Sequence, residues 1–332
     1  MADSPAVDVS VVVCTYNRAS WLAETLASLR AQEVPAGISW EVLVVDNGST
    51  DDTADAVRRL QSRWPAIHYL FEPTPGKSFA LNTALQTARG RFVAFTDDDV
   101  LVDPHWLSEV QEALESTGAA LIGGRVLPLW QTPRPPWFLE REFRGMVGHW
   151  DHGPKPFQIT DVAGVPAGAN MAARTDILRA YGGFHTGLGA GRVHRGADSE
   201  MGARLLLAGE LLMYVPGALV YHRVHPNLLS KPYVRRWFYR RGIAHSIMEK
   251  ASEGNVPKIL RVPRWRYRVL LQTMARWAGA AARRDGRGRF LQEARLCMMA
   301  GFFAARWSGR YDPVVPCPPD AVTQEEGEPC AK

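Results

Sequence analysis

Residues 90–99 read GRFVAFTDDD, an apolar run that ends in three consecutive aspartates. The apolar part, Phe92–Thr96, predicts a buried strand, and the preceding segment Ser78–Ala88 has helical periodicity. In open sheets of parallel strands, ligands bind outside the carboxyl ends of the strands. We therefore expect the three aspartates to line a ligand site.

Two further strand and helix pairs precede this one, and polar residues follow each strand. Val9–Cys14 is followed by Thr15-Tyr16-Asn17-Arg18, and Glu41–Val45 by Asp46-Asn47-Gly48-Ser49. Strands that are apolar throughout and alternate with helices are typical of a mostly parallel sheet covered on both faces. The sequence therefore predicts an α/β fold whose strand ends carry the polar clusters.

The rest of the chain divides into three predicted parts. A stretch rich in Pro and Trp at 128–156 predicts an irregular loop region, after which strands and helices resume. We expect an α/β domain over residues 1–225, a basic amphipathic helical region over 226–310, and a disordered tail over 311–332.

Charge is distributed unevenly along the 332 residues, whose net charge is +5. The segment from Lys231 to Arg310 contains 19 Lys and Arg against 4 Asp and Glu, a net charge of +15. Such a block indicates an anionic partner. With aromatic residues among its arginines, it predicts an anionic membrane surface; packing on the α/β domain is the competing interpretation, and nucleic acid is less favoured.

The sequence also predicts the compartment. The four cysteines lack the paired C-x-x-C spacing of a zinc site and are too few for a disulfide framework, which fits a reducing environment. The N-terminus lacks the charge order of a secretory signal, and no stretch reaches about 18 consecutive apolar residues. We expect a cytoplasmic protein, peripheral on the cytoplasmic face of the membrane.

The aspartate triplet predicts a metal site. Three adjacent carboxylates repel one another unless a cation neutralises them. Mg²⁺ prefers carboxylate oxygens and commonly shares its coordination shell with a substrate diphosphate. Asp97, Asp98 and Asp99 therefore indicate Mg²⁺ or Mn²⁺, with a solvated turn or a helix cap as the structural alternative.

Six short motifs, in order over residues 8 to 225, resemble the family 2 glycosyltransferases with the GT-A fold. They are VVVCTYNR (11–18), VVDNGSTD (44–51), GRFVAFTDDD (90–99), GAN (168–170), GGF (182–184) and GADSE (196–200). The resemblance implies a Rossmann-like domain and a nucleotide-sugar donor. It also implies a glycan or lipid-linked acceptor and inversion at the anomeric carbon.

The resemblance also assigns residues to the donor and the metal. Thr15, Asn17 and Asp46 would line the base and ribose, and Lys77 would approach the diphosphate. Asp97 would contact the ribose or the metal, and metal ligation falls to Asp99 and His222, with His225 as the alternative ligand. The full donor-binding set is Thr15, Asn17, Arg18, Asp46, Lys77, Asp97 and Asp98.

Asp198 is the predicted general base, which takes the proton from the acceptor hydroxyl. Relatives usually have Glu-Asp here, and Ala197 replaces the glutamate in this chain. Glu200 is the alternative base. A helix N-cap is a structural role for Asp198 that is compatible with catalysis.

Several alternatives stay open at this point. The loop aromatics could form an acceptor platform or simply a packed lid; they are Trp130, Trp137, Phe138 and Trp150. The chain as a whole could instead be a metal-dependent nucleotidyltransferase that makes a sugar nucleotide. A third possibility is a nucleic-acid-binding protein that uses the basic segment.

Overall fold

The structure, a computed structural model, describes residues 7–166, 168–187, 196–252 and 256–309. The predicted disordered tail at 311–332 lies outside these residues. The strands are β1 (Val7–Thr15), β2 (Trp40–Asp46), β3 (Ile67–Phe71), β4 (Gly90–Asp97), β5 (Val100–Val102), β6 (Leu121–Trp130), β7 (Phe157–Gln158), β8 (Asn170–Arg174), β9 (Leu212–Val224), β10 (Lys258–Ile259) and β11 (Val262–Pro263).

The α-helices alternate with the strands in the first part of the chain and dominate its end. They are α1 (Ala19–Arg30), α2 (Thr53–Gln61), α3 (Lys77–Thr87), α4 (Trp106–Thr117), α5 (Glu140–Phe143), α6 (Thr175–Ala180), α7 (Ala197–Leu207), α8 (Lys231–Ser252), α9 (Arg264–Ala282) and α10 (Gly286–Ser308). Short 3₁₀ turns occur at Arg144–Val147, Val162–Gly164 and Pro226–Leu229.

One large sheet organises the described residues, in the order β3-β2-β1-β4-β8-β6-β9-β5, with β7 paired to β9. The first four strands are parallel, as predicted. Strand β8 runs antiparallel to β4 and β6, and β5 runs antiparallel to β9. The second half of the sheet is therefore mixed. The sequence does not predict these strand directions, because apolar patterning indicates that a strand is buried and not which way it runs.

The parallel strands are apolar throughout because both faces of the sheet are covered. Val12 of β1 packs in a cluster with Ala80 of α3. Its neighbours Val11 and Val13 pack in a second cluster with Leu22 of α1. Successive side chains of a strand point to opposite faces, so every position of β1 faces a core.

Register brings the polar strand ends together. Thr15 of β1 lies beside Asp46 of β2, and Cys14 lies beside Asp97 of β4. At the far end of the strand order, Val100 of β5 pairs with His222 of β9. The backbone N–H of Arg223 donates to the carbonyl of Asp99 at 3.0 Å. The backbone ladder between β5 and β9 therefore holds the aspartate triplet beside His222.

Helices α8 and α10 cross with their backbones in direct contact. A Cβ atom at Gly242 would lie 1.9 Å from the carbonyl oxygen of Met298, and one at Gly301 would lie 1.9 Å from that of Tyr239. Only glycine fits at such a crossing.

The same helices pack on the α/β part of the chain. Ile243 and Ile247 of α8 share a hydrophobic cluster with Met201 and Leu205 of α7. Much of the basic segment is therefore packed, whereas one face of α9 stays exposed. The predicted division at residue 225 stays a prediction, and no helix in the described part of the chain is long and apolar enough to cross a membrane.

Candidate active site

Asp97, Asp99 and His222 form a group that could hold a divalent metal ion. One ligand atom from each lies within 4.8 Å of the others. The Asp99 Oδ1 atom is 3.5 Å from His222 Nε2 and is buried without a hydrogen-bond partner among the residues that the structure describes. Because an unpaired buried carboxylate oxygen is costly, this geometry fits a cation. The predicted pairing of triplet and histidine is present in the structure.

Gly148 packs closely against the ring of His222. A Cβ atom at Gly148 would lie 3.0 Å from the imidazole ring, and Gly148 has a φ of 72°, which glycine adopts readily. The alternative ligand His225 is placed elsewhere: its ring stacks on Trp21 at 5.2 Å, and its Nδ1 accepts from the N–H of Asn227 at 3.1 Å. The structure therefore groups His222, and not His225, with the aspartates.

Two basic side chains neutralise part of the acidic charge. Lys77, at the start of α3, pairs with Asp97. Burial opposes ionisation of both groups, but their pairing outweighs it, so the pKa of Lys77 is raised and that of Asp97 is lowered. Arg18 Nη1 donates to Asp98 Oδ1 and to Asp99 Oδ2, each at 2.8 Å. Two cationic side chains are therefore held beside the aspartate triplet.

Asp98 lies on the inner side of the triplet. Its Oδ2 accepts a hydrogen bond from the Thr15 hydroxyl at 2.8 Å, and it is 5% exposed. Burial raises the pKa of Asp98 to about 6, although Arg18 acts in the opposite direction. Thr15 is also buried. Direct donor contacts by Thr15 and Asp98 stay predictions; the geometry gives both a supporting position beneath Arg18.

The loops after β1 and β2 are tied together by side chains. Asn17, at a φ of 53°, accepts from the N–H of Thr50 at 2.7 Å. Asp46 Oδ1 accepts from the N–H of Ser49 at 2.7 Å, and its Oδ2 accepts from the Tyr69 hydroxyl at 3.0 Å. Asp46 is therefore fixed by two donors before any nucleotide arrives.

Asp198 and Glu200, the two candidate bases, have different environments. Asp198 Oδ2 accepts from the Gly168 N–H at 2.6 Å, and its charge helps raise the pKa of Lys77. Helix α7 begins at Ala197, so Asp198 lies in its first turn, and the predicted N-cap position belongs to Gly196.

Glu200 is buried and forms a two-point ion pair with Arg204 at 2.9 and 3.0 Å. Arg204 also donates to the carbonyls of Tyr181 and Gly183. A carboxylate engaged in this way stabilises the fold, which leaves Asp198 as the candidate base.

The loop aromatics lie in packed clusters. Trp137 contacts Phe138, Phe143 and Phe290, with ring centroids 5.0 to 6.3 Å apart. Trp150 contacts Tyr214 at 5.1 Å. These rings therefore pack on neighbouring elements, and the acceptor platform stays a prediction.

Sequence reasoning does not identify two residues that hold the site's carboxylates in place, Tyr69 and Arg204. Tyr69 reaches Asp46 from the neighbouring strand β3, and no local pattern connects them. Arg204 has a readable signal, because a glutamate and an arginine four residues apart on a helix are neighbours.

Comparison with known proteins identifies the family. The sequence matches the model of glycosyl transferase family 2 over residues 10–181. It is 30% identical over 247 residues to the succinoglycan biosynthesis protein ExoM of Rhizobium meliloti (strain 1021), covering 73% of this chain and 76% of that protein. The chain belongs to glycosyl transferase family 2. The predicted resemblance is thereby confirmed.

Solved structures agree on the fold of this family 2 enzyme. The mannosyltransferase PcManGT from Pyrobaculum calidifontis, in complex with GDP-Man and Mn²⁺, aligns with a TM-score of 0.62 at 22% identity over 90% of this chain and 87% of that one. S. aureus TarS 1-349 in complex with UDP aligns with a TM-score of 0.51 at 18% identity, over 92% and 91%. The chain is a nucleotide-sugar glycosyltransferase with the GT-A fold, and the comparisons give no support to the nucleotidyltransferase or nucleic-acid-binding alternatives.

Proposed function

We propose that this glycosyltransferase moves a sugar from a nucleoside-diphosphate sugar to a hydroxyl group of a glycan or lipid-linked acceptor, with inversion. The observation that carries the proposal is the grouping of Asp97, Asp99 and His222. The Lys77 ammonium pairs with Asp97 and also interacts with the charge of Asp198. In this proposal, a metal-binding group, a cation for the diphosphate and a general base lie together in one site.

Donor binding is assigned to the first half of the sheet. Asp46 and Asn17 hold the loops that would surround the base and ribose. Lys77 and Arg18 would move from their carboxylate partners toward the diphosphate, because phosphate oxygens accept charge-assisted hydrogen bonds equally well. The donor-bound neighbours, PcManGT with GDP-Man and TarS with UDP, support a nucleotide in this fold.

Asp97, Asp99 and His222 would hold the metal ion. An ion bound there would supply Lewis-acid stabilisation to the leaving diphosphate. Two carboxylates and one imidazole suit Mn²⁺ better than Mg²⁺, since Mg²⁺ favours oxygen ligands and water. The Mn²⁺ bound by PcManGT supports this choice.

Asp198 would act as general base. The hydrogen bond from Gly168 fixes its Oδ2, so the carboxylate is held in one orientation. In the reaction the acceptor O–H bond breaks and its proton goes to Asp198, while the acceptor oxygen bonds to the anomeric carbon. The bond from that carbon to the diphosphate breaks, and the nucleoside diphosphate leaves with the electron pair. Attack from the face opposite the leaving group gives inversion.

Radiolabelled nucleotide sugars test the proposal. Incubation with Mn²⁺ should release nucleoside diphosphate and labelled product, and EDTA should abolish both. Asp99→Ala should lose turnover, while His222→Ala should lose less because water can replace one ligand. Full activity in EDTA, or release of pyrophosphate in place of nucleoside diphosphate, would contradict this function.

We also propose that the exposed face of α9 lies on an anionic membrane surface. Leu271, Met274 and Trp277 are 66%, 50% and 40% exposed, and their spacing of three places them on one side of the helix. Arg264 and Arg268 of the same helix are exposed as well. An apolar face beside arginines complements anionic lipid, with each near-surface cation contributing about 1 kcal/mol.

A matched pair of variants tests the membrane contact. Leu271→Glu and Gln272→Glu add the same charge to neighbouring exposed positions, but only the first lies on the apolar face. Co-sedimentation with anionic vesicles at low salt should be lost in Leu271→Glu and kept in Gln272→Glu. Equal behaviour of the two variants would contradict insertion of this face, and a stable dimer in solution would assign it to a second copy.

A further inference from the structure

Two arginines from different elements, Arg144 and Arg241, lie close enough for their charges to interact. Arg144 lies in the 3₁₀ turn after α5, and Arg241 lies in α8. Arg241 Nη1 is 3.4 Å from the position of a Cβ atom on Gly145, the residue after Arg144. Neither arginine forms an ion pair with an Asp or Glu among the described residues, and both are exposed. Like charges held together in this way call for an anion.

The surroundings fix the Arg241 side chain. Its guanidinium lies over the Trp237 ring, 5.1 Å from the centroid, and its Nε donates to His245 Nε2 at 3.4 Å. Burial, with the charge of Arg241 acting in the same direction, lowers the pKa of His245 to about 4, so the imidazole is neutral and accepts this hydrogen bond. Burial and the charge of Arg144 also lower the pKa of Arg241. The ring contact and the hydrogen bond thus hold the Arg241 side chain in place, and it is still open to solvent.

The arginine pair lies beside the proposed reaction centre, away from the nucleotide. Four residues after Arg144, the backbone at Gly148 packs on the ring of His222. Ile243, two residues after Arg241, belongs to the same hydrophobic cluster as Met201 and Leu205 of α7, the helix that carries Asp198. The residues assigned to the base and ribose, Thr15, Asn17 and Asp46, lie at the ends of strands β1 and β2, in the other half of the sheet. The pair is therefore on the side where an acceptor would enter.

We propose that Arg144 and Arg241 bind a phosphate group of the acceptor substrate. This inference rests on the proposed transferase function and names the class of its acceptor. The phosphate is an anchor and does not react; the nucleophile stays a hydroxyl near Asp198. Phosphate suits the pair because it offers enough oxygens for two planar guanidinium groups, each of which binds such oxygens in a bidentate manner.

Calorimetric titration of the full chain tests the site. Mn²⁺ and the nucleoside diphosphate that binds most tightly are kept saturating, so that the donor diphosphate site is filled. The probes are inorganic phosphate, glucose 1-phosphate and geranyl phosphate. Arg144→Gln and Arg241→Gln should each weaken binding of the probes about tenfold or more, because a charge-assisted contact to phosphate is lost. Arg240→Gln, an exposed neighbour on α8, is the matched control and should bind the probes as the unmodified chain does.

The possible results distinguish a lipid-linked acceptor from a free sugar phosphate. They also distinguish failure of the phosphate site from failure of the transferase function. Geranyl phosphate binding far more tightly than the other probes assigns the site to a lipid-linked acceptor, and equal binding assigns it to a free sugar phosphate. Binding of no probe, or equal loss in Arg240→Gln and Arg241→Gln, would overturn the site. Failure of the unmodified chain to bind any nucleoside diphosphate would count against the transferase function itself. Removing one of two like charges should not lower the melting temperature, and a variant that fails to fold is replaced by Arg241→Lys, which should retain most of the phosphate affinity.

Discussion

Replacing each acid of the motif at 196–200, Asp198 and Glu200, by its amide should distinguish a role in catalysis from a role in stability. Asp198→Asn keeps the size of the side chain and an oxygen that can accept from the Gly168 N–H, but it removes the proton acceptor. Glu200→Gln removes the charge that compensates Arg204. We expect the first variant to be inactive and stable, and the second to be active and less stable.

The magnitudes follow from the two environments. Loss of a general base costs about 10²- to 10⁴-fold in rate. Glu200 and Arg204 side chains are 6% and 9% exposed, so the amide leaves a buried guanidinium uncompensated. Breaking a buried pair costs about 3 to 5 kcal/mol. In a chain of this length such a loss lowers the melting temperature by about 5 to 8 °C.

Transfer rate, nucleoside diphosphate affinity and thermal unfolding are measured for both variants. Asp198→Asn should bind the nucleoside diphosphate with unchanged affinity, because the base faces the acceptor. The reasoning fails if Asp198→Asn transfers sugar at a near-normal rate while a folded Glu200→Gln is inactive. That result would move the base to Glu200 and require the Arg204 pair to open during turnover.

Three further predictions concern stability. Gly242→Ala should lower the free energy of unfolding by about 1 to 3 kcal/mol, because its Cβ would meet a backbone carbonyl of α10. Gly279→Ala in α9, whose nearest neighbour is a flexible arginine at 3.4 Å, should be neutral or stabilising, and chemical denaturation compares the two variants. Trp106→Phe should cost about 1 to 3 kcal/mol in the same assay, because the buried carbonyl of the Asn170 amide loses the indole N–H that donates to it at 2.8 Å. Burial opposes the ionisation of Glu41, but its hydrogen bonds outweigh burial and lower its pKa. The stability that Glu41 contributes is therefore present above its ordinary pKa of 4.5 and is lost as the pH falls below that value. Unfolding curves of Glu41→Gln should show a weaker dependence on acid pH than those of the unmodified chain.

The first half of the fold is predictable because it is local. Each strand of the parallel half is an apolar run followed by a helical repeat, and the polar residues that matter come directly after the strand. The pairing of the Asp triplet with His222 follows from a strand-end position and a family resemblance. Both were readable without knowledge of the sheet order.

The remainder depends on contacts between distant segments. Nothing in the sequence of β8 states that it runs antiparallel between β4 and β6. The crossing of α8 and α10 at Gly242 and Gly301 involves two ordinary-looking glycines in separate helices. Arg144 and Arg241 likewise become a pair only through the fold, so the basic segment alone indicated a broad anionic surface.

The ladder between β5 and β9 has a consequence for the assembly of the enzyme. Asp99 and His222 are separated by more than a hundred residues, and their side chains meet only when β9 docks against β5. Closing so long a loop is a late and entropically costly event. During translation, a chain that has not yet emerged past His222 can form the parallel half of the sheet but has no complete metal-binding group. The capacity to bind a divalent metal ion would therefore appear only with the last strand of the sheet.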